Sequence, residues 1–319
     1  MASFEKINYI LRPNKSVERK LIIETLWALW PFFKIPQYTY LGMGSMWFAD
    51  FTLAHKYLLI SKMYSIEYPD YAKRAKFNAP YRCVKVIPGD TSKVLPKIKW
   101  KKWNCIIWLD YDKGLDKCSA LKDIQTICEH AQSGTILIVT VNASPSQLYA
   151  KDEHGQELRH DEALRKLVSN LAPQDLKGKL SKKVFPSTLA KILIDCAERG
   201  PKVAGRSQLS FLPIFNFFYR DGAPMVTIGG MIADEKDKLQ LESSKVLGRF
   251  QYLNGAKQFA ISVPPLTPKE KVSLDAMLPC IERPTAAKLK ESGLFLQEDQ
   301  IDSYFKFYRY YPVFAELFG

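Results

Sequence analysis

The chain runs to 319 residues, 47% hydrophobic and 25% charged, with 46 Lys and Arg against 33 Asp and Glu for a net charge of +13. That composition belongs to a globular protein of one large domain with appendages or of two modest ones, and no stretch approaches the ~18–20 uncharged apolar residues that a membrane span needs. The six cysteines form no CxxC pair and the four histidines no HExxH motif, which argues for reduced, mostly buried thiols and against a structural zinc site.

The start, MASFEKINYILRP, puts Glu5 and Lys6 where a signal peptide would carry an unbroken apolar run, so a cytoplasmic protein is expected. Residues 16–32, SVERKLIIETLWALWPF, read as an amphipathic helix with Ser16 as N-cap, Glu18 in the first turn and Leu21, Ile22, Leu26, Leu29 and Trp30 on one face. Pro31 and Pro36 close it. From Tyr38 onward, short apolar runs alternate with helical patterns. Strands are predicted at Tyr38–Leu41, Met63–Glu67, Cys83–Ile87, Asn104–Leu109 and Thr135–Val141, with helices at Ala49–Leu59, Tyr71–Asn78 and Leu121–Ala131 between them. Such alternation signals βαβ units and a parallel sheet.

Residues 144–200 are more polar, with helices around Glu162–Asn170 and Ser187–Glu198, and read as a lid-like insertion after the fifth strand. FLPIFNFFYRDGAPMVTIGGMIAD then reads as a hairpin turning at Arg220–Ala223. Further on, Thr267 with Glu270 three residues later marks a capped helix start. The tail DSYFKFYRYYPVFAEL is aromatic and basic, a pattern suited to base stacking or, at helical spacing, to a small core. The expected division is an N-terminal helical segment (1–35), an α/β domain (36–240) and a mostly helical C-terminal subdomain (241–319).

The chemistry-bearing residues fall at strand ends. Gly42-Met43-Gly44-Ser45 follows the first strand and precedes a helix, where glycines let a ligand approach the backbone. Trp47 stands where a dinucleotide fingerprint has its third glycine, which speaks against NAD or FAD. Glu67, 23 residues beyond Gly44, ends the second strand, where an acid can accept both hydroxyls of a ribose. Asp90, followed by Thr91, ends the third, where an acid can accept the exocyclic amine of adenine. Asp110 and Asp112 follow the apolar strand CIIWL. Glu67, Asp90 and Asp110 thus end three successive strands, 23 and 20 residues apart, at the edge where open α/β sheets bind their ligands. Arg12 and Lys15 are placed to close over an anionic group, and His55, among apolar helix neighbours, reads as packed core.

This set resembles the class I S-adenosylmethionine-dependent methyltransferases over residues 36–143 and more loosely to about 235. VIPGDTSKVLPKI and CIIWLDYDKGLD are similar to the corresponding stretches of O-methyltransferases. The resemblance implies an α/β fold: a Rossmann-like sheet, mostly parallel, finished by an antiparallel hairpin, with a small helical C-terminal appendage. It implies that Gly42 and Gly44 approach the methionine part of S-adenosylmethionine, Glu67 the ribose and Asp90 the adenine, with Ser45 and Thr91 also at the cofactor. Asp110 then lies beside the methyl donor; Asp110, Asp112 and His55 are candidate bases for the acceptor proton, and Arg12, Lys15 and Asn142 are candidates for substrate contact.

Two positions depart from the pattern. Tyr40 replaces the acid that precedes the first motif's Leu-Gly, the usual partner of the cofactor's amino group. Val141-Asn142 replaces the Asp-Asn pair that completes the metal site of cation-dependent members, so no bound metal is expected. The wider chain, including INYILRPNKSVERK, is similar to a bacterial methyltransferase-like family of unassigned substrate.

The expectation is an S-adenosylmethionine-dependent methyltransferase, with nucleic acid the leading acceptor because a basic protein gains from phosphate neutralisation. The rival is a catalytically silent methyltransferase-like subunit that binds or scaffolds within a bacterial multiprotein complex. Tyr40 favours that rival and the retained strand-end acids disfavour it. A further alternative is a nucleic-acid-binding module whose Rossmann domain is only scaffold.

Overall fold

The structure is a computed structural model that describes residues 12–148, 150–151, 153–173 and 180–312. The INYIL stretch and the last residues of the aromatic tail lie outside the described residues.

In chain order the elements are α1 (Pro13–Leu29), β1 (Thr39–Gly42), α2 (Ala49–Leu58), β2 (Lys62–Glu67), α3 (Pro69–Asn78), β3 (Val84–Pro88) and the short α4 (Thr91–Val94). There follow β4 (Cys105–Asp110), α5 (Ala120–His130), β5 (Thr135–Asn142), α6 (His160–Val168), α7 (Phe185–Val203), β6 (Ser210–Asp221), β7 (Ala223–Ala233) and α8 (Glu235–Ser243). The C-terminal part holds β8 (Gln258–Ile261), α9 (Pro268–Asp275), α10 (Ala286–Glu291) and α11 (Glu298–Phe307).

The strands form one sheet in the order β3-β2-β1-β4-β5-β7-β6-β8. β3 through β5 run parallel, and β7 is antiparallel to both β5 and β6. β4 and β5 are apolar along almost their whole length because both their faces are covered, as central parallel strands require. Chain progress reverses direction across the sheet between β1 and β4, which makes a crevice at their carboxyl ends. The hairpin between β6 and β7 turns at Gly222, whose φ of +98° is a conformation that favours glycine.

Four expectations change here. Helix α1 starts at Pro13, well suited to the first helical position, so Ser16 lies inside the helix and does not cap it. Nor is α1 amphipathic: Asn14, Lys15, Glu18 and Arg19 are buried along with Leu21, Ile22, Leu26 and Leu29. The cause is its position between the sheet and the C-terminal part, where Lys20 Nζ donates to Tyr310 O at 2.8 Å and Tyr310 OH donates to Glu24 Oε2 at 2.6 Å. Within the stretch expected to be a lid, α7 is a core helix, with Leu189, Ile192, Leu193 and Ala197 packed against the same apolar layer as α5 and the strands. Finally, the C-terminal part adds an edge strand to the main sheet, β8 lying parallel to β6.

Other readings hold locally. Thr267 and Glu270 exchange side-chain-to-backbone hydrogen bonds at the start of α9. Tyr304, Phe307 and Tyr311 of the aromatic tail are buried in the core; His55, read as packed core, is only half-buried, with its Nδ1 2.8 Å from Ile60 O. The described cysteines are all free, with Cys105, Cys128 and Cys196 buried and Cys280 exposed. Among the described residues no helix is long and apolar enough to cross a membrane.

Candidate functional site

A cavity of about 740 Å³ opens at the carboxyl ends of β1 to β4. Glu67, Asp90, Asp110 and Asp112 all line it, with Gly44, Ser45 and Thr91. The three strand-end acids identified by their spacing therefore meet around one space. Arg19, Asp50, Tyr68, Asp116 and Ser119 join them in its wall.

The turn after β1 is shaped from within. A Cβ on Gly44 would lie 2.5 Å from the Phe48 ring and 2.9 Å from Ser65 Oγ, so this glycine answers to internal packing as well as to a ligand. Gly44 N donates to Ser65 Oγ at 2.9 Å, pinning the turn to β2. Ser45 then adopts φ +52°, a left-handed conformation uncommon for a side-chain-bearing residue, and its hydroxyl is buried in the wall without a hydrogen-bond partner. Gly42 is different: it lies within β1, does not line the cavity, and packs beneath the Tyr40 and Phe51 rings. Its expected cofactor contact gives way to a packing role, because the strand extends one residue further than its sequence pattern suggested.

At β2 and β3 the carboxylates are open to the space. Burial raises the pKa of Glu67 above the usual range, while a hydrogen bond from Tyr68 N to Oε1 at 3.0 Å pulls it down. Asp90 sits at the N-cap of α4 but makes no side-chain capping bond, which leaves its carboxylate to the cavity. Gly89 before it takes φ +146°, and its N–H donates to Glu67 O at 2.9 Å, tying the two loops together. Thr91 is placed otherwise than expected. Its hydroxyl, with those of Tyr111 and Ser119, donates to Asp123 Oδ2, the Ser119 bond at 2.6 Å. Asp123 is fully buried on α5 and gathers the loops after β3 and β4 onto one carboxylate oxygen.

Asp110, at the end of β4, is held in a charged network. Lys15 Nζ lies 2.7 Å from Asp110 Oδ1 and 2.8 Å from Glu18 Oε2, with Lys15 and Glu18 essentially inaccessible. Thr227 on β7 donates to Glu18, Thr140 on β5 bonds to Thr227 at 2.8 Å, and Trp108 Nε1 donates to Thr140 at 3.1 Å. The network thus runs from β4 through α1 and back to β4. Burial alone would raise Asp110, but Lys15, with Arg19 and Arg12 behind it, holds its carboxyl below the usual range. Glu18 moves the other way, because full burial outweighs the pull of Lys15.

The substrate candidates separate. Lys15 is committed to this network and does not reach out over a ligand. Arg12 stands at the N-cap of α1, its charge acting on Asp110. Asn142 is not in the cavity wall: its amide donates to Asp112 O at 3.4 Å and its Oδ1 accepts from Ser144 N at 2.9 Å. Asp112 is exposed at the rim. Among the described residues no group of three or more His, Cys, Asp or Glu is disposed to hold a metal.

Sequence reasoning passed over Arg19, Asp50 and Asp123. Arg19 and Asp123 look like solvated helix positions, and only their buried surroundings show otherwise. Asp50 carries a faint signal, since a tyrosine buried in a strand needs an acceptor for its hydroxyl.

A family model described as "Putative O-methyltransferase" matches residues 7–318. The chain belongs to that family. Its sheet, parallel from β3 to β5 and finished by the antiparallel β6–β7 hairpin, is the Rossmann-like one expected. No curated protein matches this chain in sequence. Among solved structures it is similar to Trm1 from Pyrococcus horikoshii in complex with S-adenosyl-L-methionine (14% identity, TM-score 0.48, 71% of this chain and 57% of that one). It is also similar to the Methanococcus jannaschii fibrillarin pre-rRNA processing protein (12% identity, TM-score 0.38, 63% and 68%) and to human N-acetylserotonin methyltransferase (13%, 0.33, 68% and 56%). The match thus spans little more than half the length of the first and third of these chains.

The cavity's residues suit such a cofactor. An orphaned Ser45 hydroxyl and an uncapped Asp90 carboxylate, at opposite ends of the β1–β3 edge, are polar groups awaiting a polar ligand.

Proposed function

We propose that the cleft binds S-adenosylmethionine and that the protein is a working methyltransferase. The observation that carries this reading is the convergence of Glu67, Asp90 and Asp110, from three separate strands, on one cavity of about 740 Å³. Glu67 would hold the ribose hydroxyls and Asp90 the adenine amine. The bound cofactor supplies an already activated methyl group, so the protein's work is positioning and, where the acceptor carries a proton, its removal.

Asp110 is ill suited to take that proton. Its ion pair with Lys15 keeps it ionised and below the usual range, so its role is that of a fixed negative charge facing the donor. Asp112, exposed at the rim and two residues on, is the better proton acceptor. The acceptor class we favour is nucleic acid. A net charge of +13 supports it, as do Lys113 and Lys117 in the cavity wall beside the exposed Trp47 and Tyr68.

Calorimetry with S-adenosylhomocysteine tests the cofactor site. The wild-type chain should bind, and Glu67→Ala should weaken binding by about tenfold or more through loss of two hydrogen bonds to a charged acceptor. Transfer of a labelled methyl group to RNA or DNA, lost as salt is raised, tests the acceptor. The silent-subunit reading keeps one observation in its favour, Tyr40 at the acid's position, and predicts no binding of S-adenosylhomocysteine at all.

A further inference from the structure

Tyr40 occupies the chain position at which an acid was expected, yet an acid is present beside it in space. The buried Tyr40 hydroxyl donates to Asp50 Oδ2 at 2.6 Å, across ten residues of chain. Asp50 belongs to the first turn of α2 and lines the cavity next to Ser45, opposite Arg19 of α1. Three elements present polar groups to it: Tyr40 from β1, the Arg19 guanidinium from α1 and Asp110 from β4. Burial raises its pKa, and Tyr40 and Arg19 oppose that rise by favouring the carboxylate.

This end of the cavity is thus lined by the Asp50 carboxylate and the Arg19 cation, with Asp110 beyond them. Neighbouring strands lie about 4.8 Å apart, so the β1 end is roughly 10 Å from the β3 end where Asp90 stands. A ligand with an adenine at one end and a charged group at the other spans that separation.

On the reading of the cleft as a nucleoside-cofactor site, we infer that Asp50 and Arg19 form a recognition site for an α-amino-acid zwitterion. Asp50 takes the ammonium, Arg19 takes the carboxylate, and Tyr40 fixes the orientation of Asp50. The acid missing from the strand has moved to the following helix, and the tyrosine in its place serves as its support. Arg19 suits the carboxylate because a guanidinium offers two parallel donors to one carboxyl group.

Two ligands separate this inference from the reading beneath it. S-adenosylhomocysteine carries the amino-acid end, and 5′-methylthioadenosine keeps the adenosine and the thioether but lacks it. Calorimetry on the full chain should show both binding to wild type, the first more tightly. Asp50→Asn should weaken S-adenosylhomocysteine by about tenfold or more, equivalent to about 1.4 kcal/mol, and leave methylthioadenosine unchanged. Tyr40→Phe should produce a smaller loss, a few-fold, again for S-adenosylhomocysteine alone. Retained methylthioadenosine binding also shows that each variant is folded. Equal affinity of Asp50→Asn and wild type for S-adenosylhomocysteine overturns the inference, as does a parallel loss for both ligands in both variants. Failure of the wild type to bind either ligand removes the cofactor reading, and the inference with it.

Discussion

On one face of the sheet, α5 and α7 meet the strands through Leu41, Ile107, Leu109, Leu137 and Val139, a layer that is almost wholly aliphatic. On the other face the layer is rich in rings, with Tyr40, Phe48, Phe51, Trp108, Phe215 and Phe217, and α1 brings Lys15, Glu18 and Arg19 into it. Apart from Asp123 and its three hydroxyl donors, the first face can be covered by helices of suitable shape, since dispersion and burial are not directional. The second cannot, because each buried charge needs a partner at a defined place. The difference separates what supports the cleft from what gives it its charges: the aliphatic layer holds the strands in register, and the ringed layer carries the ions that reach the cavity.

The largest effect should come from breaking the charged layer. Lys15→Met removes the cation that lies between Asp110 and Glu18, and removing one partner of a buried ion pair costs about 3–5 kcal/mol. Urea unfolding should show that loss as a lower midpoint. On the aliphatic side, Asp123→Ala deprives the Thr91, Ser119 and Tyr111 hydroxyls of their shared acceptor and should cost about 2 kcal/mol by the same measurement. A larger loss from Asp123→Ala than from Lys15→Met would reverse the comparison.

The smallest effect sharpens it at the cavity wall. Glu67 has a raised folded pKa, so folding takes up a proton between the unfolded value and the folded one, and stability declines as pH rises through that window. Glu67→Gln removes the decline. In the absence of ligand the variant should therefore be the more stable at neutral pH, by under about 0.5 kcal/mol for so partly exposed a group. The advantage should vanish below the window, and thermal unfolding across pH reads it. The same substitution should weaken S-adenosylhomocysteine, a cost in stability accepted for a ligand.

Much of the frame was legible in the sequence. The apolar run CIIWL, flanked by polar residues, could only be a central strand, and the regular spacing of Glu67, Asp90 and Asp110 followed from the length of a βα unit. The sequence misled where a charge lay inside. Helical periodicity sorts residues by polarity, so α1 read as amphipathic, and nothing local showed that Asp110 and Thr227 of the sheet would take in Lys15 and Glu18 while residues beyond 250 cover Lys20 and Glu24. Asn142 lies outside the cavity wall for a related reason. A strand-end position gave its place in the sheet, whereas its contacts with Asp112 and Ser144 were set by loops without a periodic pattern.

One attachment orders the making of the protein. Lys15 N donates to Asp221 Oδ2 at 2.8 Å, Asn14 contacts the same carboxylate, and Asn14 Oδ1 accepts from Val263 N at 2.8 Å. Helix α1 is thus anchored by a residue synthesised 206 positions later. Until that residue emerges, strands β1 to β5 can pair while the notch at their tips still lacks the wall that α1 supplies. A nascent chain is a sheet before it is a receptor, and the capacity to hold a ligand waits on the emergence of β6.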